Sequence, residues 1–237
     1  MKKFFKAFTL AEVLITLSIA GIIAAMTLPS LVQKNQEKET IIKLKKAYSI
    51  LSQAYYSAVS EYGNSSGWDL GEQFSPEGAI SIADKMVKYF KVNKICGTGQ
   101  GCFPSVTYRR FNKKLGWYDI YKTERVYKLI LSDGTLIGFE SNGNEACKIS
   151  YCAKVFVDVN GYRGPNQAGY DIFSFYLQKG RIMPFGYEGD SIEPFDTTKL
   201  STSVGEFVTA WVLVNENMDY KRCPEKLGWD KASSCKD

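Results

Sequence analysis

The sequence predicts an α+β protein. A long N-terminal helix, membrane-spanning in its first half, is expected to pack on an antiparallel β-sheet head with a disulfide-bonded C-terminal region. Three observations carry this. From Phe8 to Leu28 the only ionisable side chain is Glu12. At about 1.5 Å per residue, such a helix spans roughly 30 Å, the hydrocarbon thickness of a bilayer. After Arg125 the pattern changes to short β-branched and aromatic runs broken by Gly, Asp and Asn, and the six cysteines fall as sequence neighbours.

In chain order, Met1 to Ala7 form a short leader carrying Lys2, Lys3 and Lys6, and Pro29 closes the apolar run. Beyond it Leu44, Ala47, Tyr48, Leu51, Ala54, Tyr55, Ala58, Val59 and Tyr62 recur at three- and four-residue steps, one apolar stripe on a helix. Gly63 is a natural helix stop. The helix is therefore expected over 8–62, interrupted at Pro29, with the head over 63–237. Ser75 as N-cap and Pro76 as first residue open a second helix, with Ile80, Ala83, Val87 and Phe90 as its apolar face. Arg125 to Leu131 and Thr135 to Phe139, joined through Asp133-Gly134, read as a hairpin. Further strands are expected over 154–159, 171–177 and 181–185, and a last one over 207–214.

Glu12 is the anomaly in the apolar run, because a carboxylate at membrane depth is costly and calls for a partner. The leader offers one. A cut between Ala7 and Phe8 would free an α-amino group within the first helical turn, and this amine on a neighbouring copy could neutralise Glu12. Leader and helix resemble the class III signal of type IV pilins and type II secretion pseudopilins. The matching residues are Lys2, Lys3, Lys6 and Ala7, then Phe8-Thr9-Leu10-Ala11-Glu12-Val13-Leu14-Ile15, then Gly21 and Pro29. The family usually has Gly where Ala7 stands. The resemblance covers the first forty residues. It implies cleavage before Phe8 by a prepilin peptidase, methylation of the new amine, and an assembly role for Glu12. A general secretory signal fits less well, since its apolar core runs about 7–15 residues and ends at a small-residue site.

Composition narrows the chemistry of the head. The net charge of +5 is modest and gives little reason to expect nucleic-acid binding. The absence of histidine removes the usual general base and the commonest metal ligand, and no catalytic constellation is found. An even number of cysteines in an exported chain favours disulfides. Sequence leaves their connectivity open, with the local loops Cys96–Cys102, Cys147–Cys152 and Cys223–Cys235 the expected set and zinc the rival. The long loop from Val157 to Asp171 looks like an Asp-x-Asn-Gly…Gly-Pro-Asn…Gly-x-Asp loop of pilin and pseudopilin heads. Asp158, Asn160 and Asp171 bring hard oxygen ligands that suit Ca²⁺, although no complete EF-hand pattern is present. A turn in which Asp and Asn cap their own backbone fits the same residues. The C-terminal stretch from Thr209 through Trp211, Cys223 and Trp229 to Cys235 also resembles the family and reads as a staple or a contact surface.

The resemblance implies a structural, non-enzymatic filament subunit. Its partners would be other copies and related pilins, prepilin peptidase, an inner-membrane assembly platform and membrane lipid. It would sit in the inner membrane with a periplasmic head before assembly, and in a pilus or pseudopilus afterwards. The alternative is a membrane-anchored periplasmic binding protein or enzyme, which a deep pocket with converging polar groups would favour.

Overall fold

The computed structural model describes residues 9–114 and 119–236. Helix α1 runs over Leu10–Tyr62 and carries Pro29 inside it. Pro29 therefore marks the end of the apolar run but not of the helix. By packing, the chain divides between Glu39 and Thr40, inside α1.

From Thr40 onward, α1 lays its stripe into the head. Leu44, Ala47, Leu51, Ala54, Tyr55 and Ala58 are all buried. The helix stops at Gly63, whose φ of +76° suits a residue without Cβ and whose N–H reaches the Val59 carbonyl at 2.9 Å. Helix α2, Pro76–Met86, begins as expected: Ser75 Oγ accepts from the Gly78 N–H at 3.2 Å. Of the expected face, Ala83 and Phe90 are buried and Val87 packs half-buried against the core, but Ile80 is exposed, and Ala79, Ile82 and Met86 point inward instead. A window this short leaves the phase of the stripe open when apolar residues lie on both sides of it.

Six strands form one antiparallel sheet in sequence order: β1 Val92–Gly97, β2 Val126–Leu131, β3 Leu136–Ser141, β4 Ala153–Asp158, β5 Ile172–Gln178 and β6 Arg181–Pro184. On one face Leu129, Ile137, Phe139, Val155, Val157, Phe173 and Phe175 meet α1 and α2. On the other, Val126, Ile130, Leu136, Phe156 and Ile172 are covered by Cys102, Phe103, Tyr108 and Ile120 from the segment before β2. Burial on both faces explains why β2 to β5 read as near-continuous apolar runs.

Three elements depart from the sequence expectations. Residues 208–215 form helix α4, Val208–Asn215, where a strand was expected. Its Val-Thr-Ala-Trp-Val-Leu-Val composition favours a strand by propensity. The run is apolar on nearly every side, so it has no period to read, and tertiary packing decides. Strand β1 was not anticipated. It is a mostly exposed, polar edge strand whose pairing with β2 shifts register twice. Helix α3, Gly143–Ile149, is a short turn of helix between β3 and β4, likewise without a sequence signal.

Candidate functional site

The first part of α1, through Glu39, presents Leu10, Val13, Leu14, Ile15, Leu17, Ile19, Ile22, Ile23, Met26, Leu28, Leu31 and Val32 to the outside. By length and composition it can cross a membrane. Lipid supplies no hydrogen bonds, so polar groups there must be satisfied within the helix. Its hydroxyls are: Thr16 Oγ1 donates to the Glu12 carbonyl (3.0 Å), Ser18 Oγ to Leu14 (2.8 Å) and Thr27 Oγ1 to Ile23 (2.9 Å).

Glu12 has a structural role that the sequence reading passed over. Its Oε2 accepts both the Thr9 N–H and the Thr9 hydroxyl at 2.8 Å, and the Glu12 N–H reaches Thr9 Oγ1 at 3.3 Å. This is a capping box, and the Thr-x-x-Glu spacing was its available signal. Glu12 Oε1 carries no hydrogen bond among the described residues. Lys2, Lys3, Lys6, Ala7 and Phe8, with the expected cleavage and methylation site, lie outside the described residues.

The loop between β4 and β5 brings Asp158, Asn160 and Asp171 together. Asp158 Oδ1 accepts the N–H groups of Asn160 (3.1 Å) and Gly161 (2.9 Å), and its Oδ2 accepts the Tyr108 hydroxyl (2.6 Å). Asp171 Oδ2 accepts the Asn166 N–H (2.7 Å) and Asn160 Nδ2 (3.2 Å), and Oδ1 accepts the Gln167 N–H (2.7 Å). Gly161 turns at φ +69° beneath the Gly134 carbonyl, where a Cβ would stand 2.9 Å from that oxygen. Burial, then the neighbouring Asp171 charge, push the Asp158 carboxyl well above the usual carboxylate range. Burial likewise raises Asp171.

The calcium expectation does not fit this donor set. All four carboxylate oxygens already face N–H or O–H donors, and Asn160 offers Asp171 its Nδ2. Asn160 Oδ1 and Asn166 Oδ1 are buried without a partner among the described residues, but two amide oxygens supply neither the charge nor the six to eight ligands that Ca²⁺ takes. Among the described residues no group of three acidic or cysteine side chains is placed to hold a metal ion. The geometry is that of the self-capped turn, extended by Tyr108 from a distant segment, a partner no local pattern reveals.

The cysteines pair as Cys96–Cys102, Cys147–Cys152 and Cys223–Cys235. The last closes a C-terminal layer over α4. Trp211 is fully buried and stacks on Phe195 at 4.4 Å between centroids. Trp229 lies 5.4 Å from Trp211 and donates Nε1–H to the Gly186 carbonyl at 3.1 Å. Trp229 is thus part of the packing, which favours the staple reading of this region over an aromatic contact surface.

Two open clefts mark the head surface. One of about 400 Å³, lined by Ile50, Tyr89 and Leu131, is crossed by the Lys46–Asp133 ion pair at 2.7 Å. The other, about 340 Å³, lies between residues 110–114 and 201–202. Ser132 and Lys91 also line the first, and Ser201 and Thr202 the second.

A model of the prokaryotic N-terminal methylation motif matches residues 2–28. Together with the apolar helix and the antiparallel, disulfide-bonded head, this defines the class: a type IV pilin-like precursor. Residues 30–205 match the model of a family of unknown function (DUF6613), more than half of the chain, and the chain belongs to that family. No curated protein and no solved structure matches it.

Proposed function

We propose that this chain is a structural, non-enzymatic subunit of a type IV filament, a pilus or a type II secretion pseudopilus. The observation that carries the reading is the methylation motif set on an apolar run, Phe8 to Leu28, whose single ionisable side chain is Glu12. In this reading residues 1–7 are a leader, 8–62 a helix whose 8–28 portion spans the inner membrane, and 63–237 a periplasmic head. Prepilin peptidase cuts between Ala7 and Phe8 and methylates the new amine. An assembly platform then extracts the subunit, the apolar helices pack against other copies, and the heads form the outer shell. Glu12 meets the Phe8 amine of an adjacent copy through Oε1 while Oε2 keeps the Thr9 cap. A pair of this kind penalises staggered packings, so its value lies in register.

Shearing cells and fractionating the product tests this. The processed chain is expected in the filament or pseudopilus fraction, and recovery only as a membrane-bound monomer would leave an anchored periplasmic protein. Deletion separates the two uses: loss of protein secretion marks a pseudopilus, and loss of surface fibres marks a pilus.

A further inference from the structure

The 340 Å³ cleft on the head is lined by Arg110, Asn112, Lys114, Ser201 and Thr202, with no acidic side chain among them. A tight turn builds one wall. The Arg110 N–H donates to the Lys114 carbonyl and the Lys113 N–H to the Arg110 carbonyl, both at 3.0 Å, with Lys113 at φ +66°. This turn sets Arg110 and Lys114 side by side. Asn112 Nδ2 then donates to the Ser201 carbonyl at 2.6 Å, and the Lys114 N–H closes on Asn112 Oδ1 at 3.0 Å, tying the turn to the opposite wall. The Phe111 N–H reaches the Val204 carbonyl at 2.8 Å beneath it.

The charge is unbalanced. Arg110 and Lys114 form no side-chain hydrogen bond or ion pair among the described residues, and the Ser201 hydroxyl is also without a partner there. Lys199, next along the chain from Leu200 and Ser201, is matched by Asp196 at 3.3 Å, so the surplus of cations belongs to the cleft.

We propose that this cleft binds a tetrahedral oxyanion, the phosphate or sulfate group of an ester ligand. The guanidinium supplies a planar pair of donors, the ammonium a point charge, and the serine hydroxyl a donor from the facing wall. Two cations match the dianion of a phosphate monoester. The volume lies at the lower end of that of small-molecule sites, leaving room for the group that carries the ester. The site lies on the head and does not depend on whether the chain assembles.

The test is titration of the full-length protein, in zwitterionic detergent micelles at low salt, with glycerol 3-phosphate, inorganic phosphate and sulfate, followed by calorimetry. Saturable binding at one site is expected, weakened at least about tenfold in Arg110→Gln/Lys114→Gln. Lys91→Gln, an exposed lysine elsewhere on the head, should bind as wild type. Phosphate esters binding more tightly than inorganic phosphate would show that the cleft also holds the carrier, and sulfate binding as well as phosphate would mark a sulfate ester; both support the oxyanion site. The single variants Arg110→Lys and Lys114→Gln, whose side chains make no hydrogen bond or ion pair among the described residues, decide the matter if the double variant fails to fold; each is expected to weaken binding. No saturable binding by the wild type, or an adventitious ion only, with equal affinity in wild type and the Arg110/Lys114 variants, would overturn the proposal.

Discussion

Asp158 and Asp171 are two buried acids held by the backbone of one loop, with burial outweighing the pull of Lys221 on Asp171, and this makes the head's stability depend on pH in an unusual direction. Because burial and mutual repulsion raise the folded pKa of Asp158, the folded state holds its proton more tightly than the unfolded chain. The stabilisation from this group is complete below the ordinary aspartate range and is lost as pH rises through the raised folded value. Asp133 and Asp196, lowered by their partners, act with the opposite sign, so the comparison must be between variants. Asp158→Asn keeps a side-chain oxygen for the Asn160 and Gly161 N–H groups and an amide that can donate to Tyr108, but it cannot ionise. At acid pH it should match the wild type, and as pH rises its relative stability should increase. Tyr108→Phe removes the 2.6 Å hydroxyl bond to Asp158. A neutral bond contributes about 0.5–1.5 kcal/mol and one to a charged group about 1.5–3 kcal/mol, so its cost should grow across the same window. At about 2–4 °C per kcal/mol for a chain of this size, the larger loss lowers Tm by about 3–12 °C. Thermal melts of the full chain in detergent, read by near-ultraviolet circular dichroism at pH 4 and pH 8, give both curves. Equal destabilisation by Asp158→Asn at both pH values would refute the buried-acid reasoning. A wild-type melting point lowered by chelator, with Asp158→Asn insensitive to it, would restore the cation.

Three further outcomes follow from the packing. Trp211→Ala empties the centre of the α4 layer and should cost about 3–5 kcal/mol, read as a large drop in Tm; a change within error would mean that Phe195 and Trp229 close the gap. Replacing Cys223 and Cys235 together by Ala opens a loop of sequence separation 12 and should cost about 3 kcal/mol, measured against the wild type without reductant. Glu12→Gln can keep the Thr9 cap while removing the charge, whereas Glu12→Leu removes both. If the Phe8 amine needs a carboxylate partner, both variants should be inserted and processed but yield few filaments, and normal yield from Glu12→Gln would reduce Glu12 to a helix cap.

How far the sequence reached depended on where each element drew its stability. The Leu44 to Ala58 stripe, Gly63, the Ser75-Pro76 start and the Asp133-Gly134 hairpin are local devices, and the structure places them where the residues implied. Strands β2 to β5 were legible because burial on both faces leaves runs of Val, Ile, Leu and Phe. Helix α4 was not, because an apolar segment buried nearly all round has no period and its Val and Thr residues argue for a strand. Strand β1 pairs at an edge with polar, exposed residues and carries no pattern. In the Asp158 loop the residues were visible but their chemistry was not. Tyr108, fifty residues earlier in the chain, decides that the carboxylate meets a hydroxyl, and only the fold brings it there. The Thr9–Glu12 cap was readable from spacing but stood behind the stronger membrane signal.

The central claim is that the chain is a processed type IV pilin-like precursor, and the mass of the mature N-terminus tests it most directly. The protein is purified from its native membrane or filament fraction, and the intact mass and N-terminal peptide are measured. A chain beginning at Phe8 with a methylated amine is expected, since leader, Phe8 and Glu12 lie within the matched methylation motif. An uncut chain beginning at Met1, or a mature start beyond Pro29, would contradict it.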